Sequence, residues 1–147
     1  MTNDPSDPLS RYPHVLDLAV GWSDMDSFEH VSNLVYFRYF QDARIGYLNR
    51  VGWMESKRLT GKGPIVKSTG ATYRKPVRFP DTVRVGVRAA EVGDDRVTFE
   101  HLLVSAAAGV ACEGVAVLVS YDYTVGAKCP LPPAVRAAIR ALEATRA

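Results

Sequence analysis

The sequence predicts an α+β fold in which a curved antiparallel five-stranded sheet wraps around one long central helix. Three observations support this prediction. The 147 residues suffice for one compact domain. The chain shows one strand pattern, a long helical pattern, four further strand patterns and a short helical pattern, in that order. The long helical pattern is rich in apolar residues, and burying it inside a curved sheet is the simplest way to cover both.

Apolar spacing defines the first strand and the long helix. Apolar residues occupy every second position from Leu16 to Trp22, which is typical of a half-buried strand. From Tyr36 to Val51 they recur every three or four residues and cover more surface than the stripe of an ordinary surface helix. We therefore expect a largely enclosed helix that stops at Gly52. Residues 53–63 are predicted to form a connecting loop.

The second half of the chain contains the remaining strands. Alternation is cleanest from Thr82 to Ala89, and glycine with two aspartates at 93–95 is a turn signal. A short final helix is predicted from Ala134 to Arg146, where good helix formers follow Pro133. The predicted strands are residues 65–73, 82–89, 97–105 and 110–123.

The chain is predicted to form a single domain over residues 14–147, preceded by a tail. Residues 1–13 are rich in Asp, Pro and Ser and lack the basic and apolar regions of a signal peptide. We expect them to pack loosely. The longest apolar run, from Ala106 to Ser120, is interrupted by glycine and glutamate and is shorter than the ~20 residues of a membrane helix. No membrane association is therefore expected.

Charge and cysteine content narrow the class of protein further. The chain has 18 basic and 16 acidic residues and a formal net charge of +2, which argues against a protein that coats nucleic acid. Cys112 and Cys129 are isolated, and no His and Cys residues have the spacing of a zinc site. The sequence therefore predicts no metal site, and a reduced, cytoplasmic setting is the simpler interpretation.

The most informative segment joins the first strand to the long helix. Asp24 and Asp26 lie two positions apart where the strand pattern ends. The polar residues that follow are Glu29, His30, Ser32 and Asn33. Such a junction places a carboxylate beside the free backbone N–H groups of a helix N-terminus. This pairing suits acyl transfer, because one group attacks or activates water while the other stabilises an oxyanion.

This segment resembles the hotdog-fold acyl-CoA thioesterases of the 4-hydroxybenzoyl-CoA thioesterase type. The family pattern is Asp-x-Asp-x-x-x-His-Val-Asn-Asn-x-x-Tyr, and the chain reads Asp24-Met-Asp26-Ser-Phe-Glu-His30-Val-Ser32-Asn33-Leu-Val-Tyr36. A second family feature, Tyr-x-x-Pro followed by an acidic residue, is similar to Tyr73-Arg-Lys-Pro76 and Asp81. The resemblance covers about residues 14–125 and implies the hotdog fold. Ser32 replaces a family Asn but keeps a hydroxyl that can cap a helix.

The resemblance implies a role for four residues of this segment. Asp26 is expected to be the catalytic carboxylate, acting as nucleophile or as general base. The backbone N–H of Asn33 is expected to face the thioester carbonyl at the positive end of the helix dipole. His30 is a candidate for orienting the substrate or the oxyanion pocket. Tyr36 lies one helical turn after Asn33 and is a candidate for lining the acyl pocket, although an aromatic residue at this spacing also suits a core.

Coenzyme A binding and assembly are further expectations from the resemblance. Arg74, Lys75 and Arg96 are candidates for contacting the phosphates of coenzyme A, which enters as part of the substrate, so no separate cofactor is expected. The resemblance also implies a homodimer whose sheets join edge to edge, which would protect an exposed strand. Each active site would then lie at the subunit interface, with Asp26 supplied by the facing subunit. Such dimers can pair into homotetramers.

Three alternatives to a thioesterase remain open from the sequence. One is a non-catalytic acyl-CoA-binding protein on the same fold, since fold does not fix function. Another is a hotdog dehydratase acting on 3-hydroxyacyl thioesters, for which His30 and Glu29 are a poor candidate pair because they are adjacent in sequence. The third is a protein-interaction module that binds no thioester.

Overall fold

One antiparallel sheet organises the protein, and the computed structural model describes it for residues 4–147. Five strands lie in the order β1-β3-β4-β5-β2, and a short strand, β6, pairs with β5. This confirms the predicted α+β architecture of a curved five-stranded sheet around a long helix. The strands are β1 (His14–Ala19), β2 (Lys62–Tyr73), β3 (Thr82–Val92), β4 (Arg96–Ser105), β5 (Gly109–Asp122) and β6 (Ala127–Lys128).

The long helix α1 (Asn33–Arg50) packs one face against the sheet. The residues of this face recur three or four positions apart and are buried: Tyr36, Phe40, Ala43 and Tyr47. Gly114 of β5 permits the close approach, because a Cβ atom there would lie 2.6 Å from the Phe40 ring. The opposite face is less enclosed than the sequence predicts, since Leu34 is 72% exposed in the single chain.

A second helix, α2 (Trp53–Thr60), occupies most of the segment predicted to be a loop. Its short length and its charged residues conceal the helical period, because Trp53 is its only buried residue. Gly52 and Gly61 bound it, each with φ of +78°, a conformation that glycine adopts without steric cost. The loop prediction was therefore wrong, although Gly52 does mark the end of α1 as predicted.

The C-terminal helix α3 (Pro133–Ala144) matches its prediction to within two residues and begins with Pro133. Val135 and Ile139 are buried in the main core. Near the end of α3, the Glu143 carboxylate accepts hydrogen bonds from the Tyr47 hydroxyl at 2.6 Å and from the Ala89 backbone N–H at 3.0 Å. These bonds attach α3 to both α1 and β3.

The N-terminal segment packs more tightly than the sequence predicts. Leu9 and Tyr12 are buried against Leu102 and Val104 on the outer face of the sheet. An ion pair of 3.0 Å between Asp7 and Arg84 adds to this contact. The difference arises because two apolar residues suffice to anchor the segment, while its Pro, Asp and Ser content indicates only the absence of regular structure. Residues 1–3 of the predicted tail lie outside the described residues.

Strand β2 forms one edge of the sheet and pairs with β5 only, within the described part of the chain. Every residue from Ile65 to Gly70 is exposed. Such a long uncovered strand offers unpaired backbone groups to another chain. Among residues 4–147, no helix has the length and the apolar character needed to cross a membrane.

Candidate active site

The loop between β1 and α1 folds into a tight turn that carries the predicted catalytic carboxylate. Met25 and Val31 pair across the turn in antiparallel fashion. Inside it, the Asp26 backbone N–H donates to the His30 carbonyl at 3.0 Å. The Asp26 Oδ1 atom accepts a hydrogen bond of 2.9 Å from the Phe28 backbone N–H. The local backbone thus holds the carboxylate while leaving Asp26 exposed.

Asp24 fixes the base of the same loop from a buried position, 7% exposed. Its carboxylate accepts hydrogen bonds from the Tyr39 hydroxyl and from the Arg38 guanidinium, both at 2.6 Å, and from the Gly21 backbone N–H at 2.9 Å. Burial alone would raise the pKa of Asp24, but these hydrogen bonds outweigh it and hold the pKa below its ordinary value. The Asp24 carbonyl also accepts the Ser32 N–H at 3.0 Å, so Asp24 ties the loop to the start of α1.

The first turn of α1 presents a free donor. Ser32 caps the helix, its hydroxyl accepting the Leu34 N–H at 3.4 Å. Within residues 4–147, the Asn33 backbone N–H donates to no acceptor. The Asn33 carbonyl accepts a hydrogen bond of 3.1 Å from the Tyr73 hydroxyl at the end of β2. An unpaired N–H at a helix N-terminus carries partial positive charge and attracts an oxyanion.

A cleft of about 400 Å³ brings these groups together. It lies between the loop, the first turn of α1 and the end of β2. Six of the seven predicted site residues line it, and they are Asp26, His30, Asn33, Tyr36, Arg74 and Lys75. Phe28, which is 79% exposed, and Tyr73 also line the cleft. Tyr73 has a sequence signal in the Tyr-x-x-Pro feature, whereas a loop phenylalanine such as Phe28 has none.

The three predicted coenzyme A contacts are placed differently. Arg74 lies at the cleft in an ion pair of 2.6 Å with Glu113, and the Lys75 ammonium donates to the Ala108 carbonyl at 3.1 Å. Arg96 is remote from the cleft of its own chain. It pairs with Asp95 at 2.8 Å and begins β4. The pairing of β4 with β5, and of β5 with β2, places Arg96 level with Ile65 across the sheet. Tyr73 at the cleft lies further along β2, so about 25 Å of strand separates it from the level of Arg96.

Comparison with known proteins identifies the class. The family model of the Thioesterase-like superfamily matches residues 20–139, so the chain belongs to that superfamily, and its fold is the hotdog fold. The PA2801 protein of Pseudomonas aeruginosa is 34% identical, with 87% of this chain and 98% of that chain covered and a TM-score of 0.77. A Thermus thermophilus thioesterase solved with coenzyme A and Zn is 32% identical, with 90% and 96% covered and a TM-score of 0.80.

A curated relative matches over a shorter stretch. The uncharacterised protein YsmA of Bacillus subtilis is 28% identical over 85 residues, which cover 58% of this chain. The match spans 56% of the length of that relative. It therefore adds family resemblance without adding an activity.

Proposed function

We propose that the protein is an acyl-CoA thioesterase of the 4-hydroxybenzoyl-CoA thioesterase type. It would hydrolyse an acyl- or aroyl-CoA to the free acid and coenzyme A. The observation that carries the proposal is one cleft of a single chain that holds both the exposed Asp26 carboxylate and the unpaired N–H of Asn33. The proposed carboxylate is therefore Asp26 of the same subunit, and not Asp26 of the facing subunit as the resemblance led us to expect. Membership of the Thioesterase-like superfamily supports the reaction class.

In the proposed mechanism, the thioester carbonyl oxygen accepts a hydrogen bond from the Asn33 N–H. The helix dipole of α1 favours the negative charge that develops on this oxygen as the carbonyl carbon becomes tetrahedral. Asp26 either attacks the carbon, forming an anhydride that water then hydrolyses, or takes a proton from the attacking water. In both cases the carbon–sulfur bond breaks and coenzyme A leaves as its thiol. His30, which lines the same cleft, would orient the carbonyl group.

Coenzyme A would bind across the mouth of the cleft. Lys75 and Arg74 lie there and supply positive charge for its phosphates. The bond from Lys75 to a neutral carbonyl leaves its charge uncompensated, whereas Arg74 is already paired with Glu113. Lys75 is therefore expected to contribute more to coenzyme A affinity than Arg74.

The proposed assembly is a homodimer joined along β2. The exposed run from Ile65 to Gly70 supports this arrangement, because pairing would satisfy its free backbone groups. Two β2 strands related by a two-fold axis run antiparallel. The end of the sheet that carries Arg96 in one copy would then approach the cleft end of the other copy. Arg96 of one copy would then lie near coenzyme A bound in the cleft of the other copy, although it is remote from the cleft of its own chain. Pairs of such dimers would form the expected homotetramer.

A thiol-release assay with a panel of acyl-CoA and aroyl-CoA substrates tests the proposal. Asp26→Asn keeps the shape of the side chain and removes its charge, so we expect kcat to fall by about a hundredfold or more on the preferred substrate. Asp17→Asn removes an exposed carboxylate from β1 and is the matched control. If no substrate is hydrolysed faster by the native protein than by Asp26→Asn, the thioesterase proposal fails.

The same variants separate the rival functions. A dehydratase would keep its activity in Asp26→Asn and lose it in His30→Ala. Glu29 and His30 form no ion pair among residues 4–147, and the Glu29 carboxylate lies 4.0 Å from the Arg78 guanidinium. A non-catalytic acyl-CoA-binding protein would show a thermal shift with acyl-CoA and no thiol release. An interaction module would show neither.

A further inference from the structure

Arg44 is a buried cation for which the described residues provide no counterion. It lies on α1 and is 6% exposed. Among residues 4–147, no carboxylate comes within ion-pair distance of its guanidinium. Its Nη1 atom contacts the His101 Nε2 atom at 3.2 Å. Burial lowers the pKa of Arg44, and no neighbouring charge opposes this effect. A buried charge is costly unless it is paired and hydrogen-bonded.

His101 cannot supply the missing negative charge. It is buried on β4, and its Nδ1 atom lies 3.3 Å from the Gly114 carbonyl. In this arrangement Nδ1–H donates to the carbonyl, and Nε2 accepts from Arg44. Burial and the nearby Arg44 charge lower the pKa of His101 to about 3, so the ring is neutral at pH 7. His101 therefore orients the guanidinium without compensating its charge.

Arg44 lines a cavity of about 310 Å³ between α1 and the sheet edge, which we call the Arg44 cavity. Phe37 and Phe40 supply apolar walls, and Gln41 and Thr69 add polar groups beside Arg44. Apolar walls with a few converging polar groups are typical of a small-molecule site. Among residues 4–147, the cavity and the cleft have no lining residue in common. Val66, Thr69 and Gly70 place the cavity on the face of β2 along which the proposed dimer forms, so the second copy would close it. The two sites nevertheless follow one another along α1, since Tyr36 lines the cleft and Phe37 lines the cavity.

We propose that the Arg44 cavity binds a carboxylate at the far end of the acyl group, so that the substrate is the coenzyme A half-thioester of a dicarboxylic acid. This inference rests on the proposed thioesterase function and deepens it. A guanidinium binds a carboxylate through two parallel hydrogen bonds, which would supply the charge that Arg44 lacks. Arg44 follows Asn33 by eleven residues on α1 (33 to 44), about 16 Å along the helix axis. That distance favours a long acyl chain over a short one.

Matched coenzyme A thioethers test the charge preference without hydrolysis. Each pair has the same chain length, with one member ending in a carboxylate and the other in a methyl group, over a series from butyl to dodecyl. By isothermal titration calorimetry we expect the native protein to bind the carboxylate member at least tenfold more tightly at the best length. Arg44→Met should abolish this preference, whereas Arg140→Met, which removes an exposed arginine of α3, should retain it.

The outcomes separate this inference from the proposed function. Equal binding of both thioethers by the native protein would overturn the inference and leave the thioesterase proposal standing. Failure of both thioethers to bind would overturn both. Arg44→Gln takes the place of the Met variant in these titrations if the latter does not fold.

The Tm and the oligomeric state of Arg44→Met show whether the carboxylate that pairs with Arg44 belongs to the substrate or to a second copy of the chain. If the site is empty without substrate, Arg44→Met removes an uncompensated charge, and its Tm should equal or exceed that of the native protein. If an acidic side chain of a second copy already pairs with Arg44, the same variant should lower the Tm and shift the protein towards monomer in analytical ultracentrifugation. That second result would overturn the inference.

Discussion

The cleft at Asp26 and the Arg44 cavity both adjoin helix α1, but the charged side chain is exposed in the cleft and buried in the cavity. In the cleft, Asp26 is exposed, and its loop is held by backbone hydrogen bonds. In the cavity, Arg44 is buried and contacts a neutral histidine. An exposed charge costs little and can serve chemistry directly, whereas a buried charge without a partner indicates a ligand or a second chain. Helix α1 thus carries the proposed reaction chemistry at its start and the proposed substrate selectivity further along.

The strongest test of the cleft concerns the loop beneath Asp26. The largest expected effect is the loss of kcat in Asp26→Asn. The next largest is in Asp24→Ala, which should destabilise the protein by about 3 kcal/mol, because it leaves the Tyr39 hydroxyl and the Arg38 guanidinium without their acceptor. Urea unfolding measures this change. Arg38→Ala is the comparison variant and should cost less, since its side chain is half-exposed. Equal stability of Asp24→Ala and native protein would mean that the loop does not depend on this carboxylate.

The Arg44 cavity has its own pH signature. The pKa of His101 is about 3 in the folded protein and about 6.5 in the unfolded chain, so only the unfolded state gains a proton between these values. The stability contributed by neutral His101 is therefore complete above pH 6.5 and is lost as pH falls. Between pH 6.5 and 5 this loss is about 2 kcal/mol. Urea unfolding of native and His101→Gln proteins at pH 7 and 5 measures it, and parallel losses in both would contradict the assignment.

Asp24 provides the matching pH test for the cleft. Its pKa is held below the ordinary value, so its contribution is complete above the unfolded pKa of about 3.9. It is lost as pH falls through the folded pKa. His101 and Asp24 should therefore lose their contributions in separate windows, His101 first. If Asp24→Asn instead removes the loss of stability near pH 6, that loss belongs to Asp24 and not to His101.

The smallest expected effect concerns the start of α1. Ser32→Ala removes the capping hydroxyl and should cost about 1 kcal/mol, because the Leu34 N–H loses its acceptor. Ser32→Asp restores an acceptor and should recover the stability in thermal unfolding. Ser32→Asn introduces the family residue, and a changed preference across the acyl panel would locate part of the selectivity in the cleft rather than in the Arg44 cavity.

The sequence predicts the fold and the cleft well because both depend on local patterns. The period of α1 and the alternation of β3 follow from burial on one face, and the spacing from Asp24 to Tyr36 identifies the loop and the helix start together. Helix α2 escapes prediction because Trp53 alone is buried in it. The position of Arg96 relative to the cleft depends on strand registers, which no local pattern specifies.

The uncompensated charge of Arg44 has no signature in local sequence patterns. Arg44 has one signal in the sequence, since it lies four residues after Phe40 on the apolar face of α1. Its partner His101 lies 57 residues away in sequence, and the missing counterion is visible only once every neighbour is placed. Local patterns predict which residues face inwards but not whether their charges are compensated.

The bond from the Tyr73 hydroxyl to the Asn33 carbonyl joins the open sheet edge to the first turn of α1. Tyr73 is the last residue of β2, the strand on which the proposed dimer would form. Any sliding of β2 during docking would therefore move the peptide group next to the oxyanion donor. If the proposed dimer forms and fixes β2, turnover per chain should rise with protein concentration and fall on dilution.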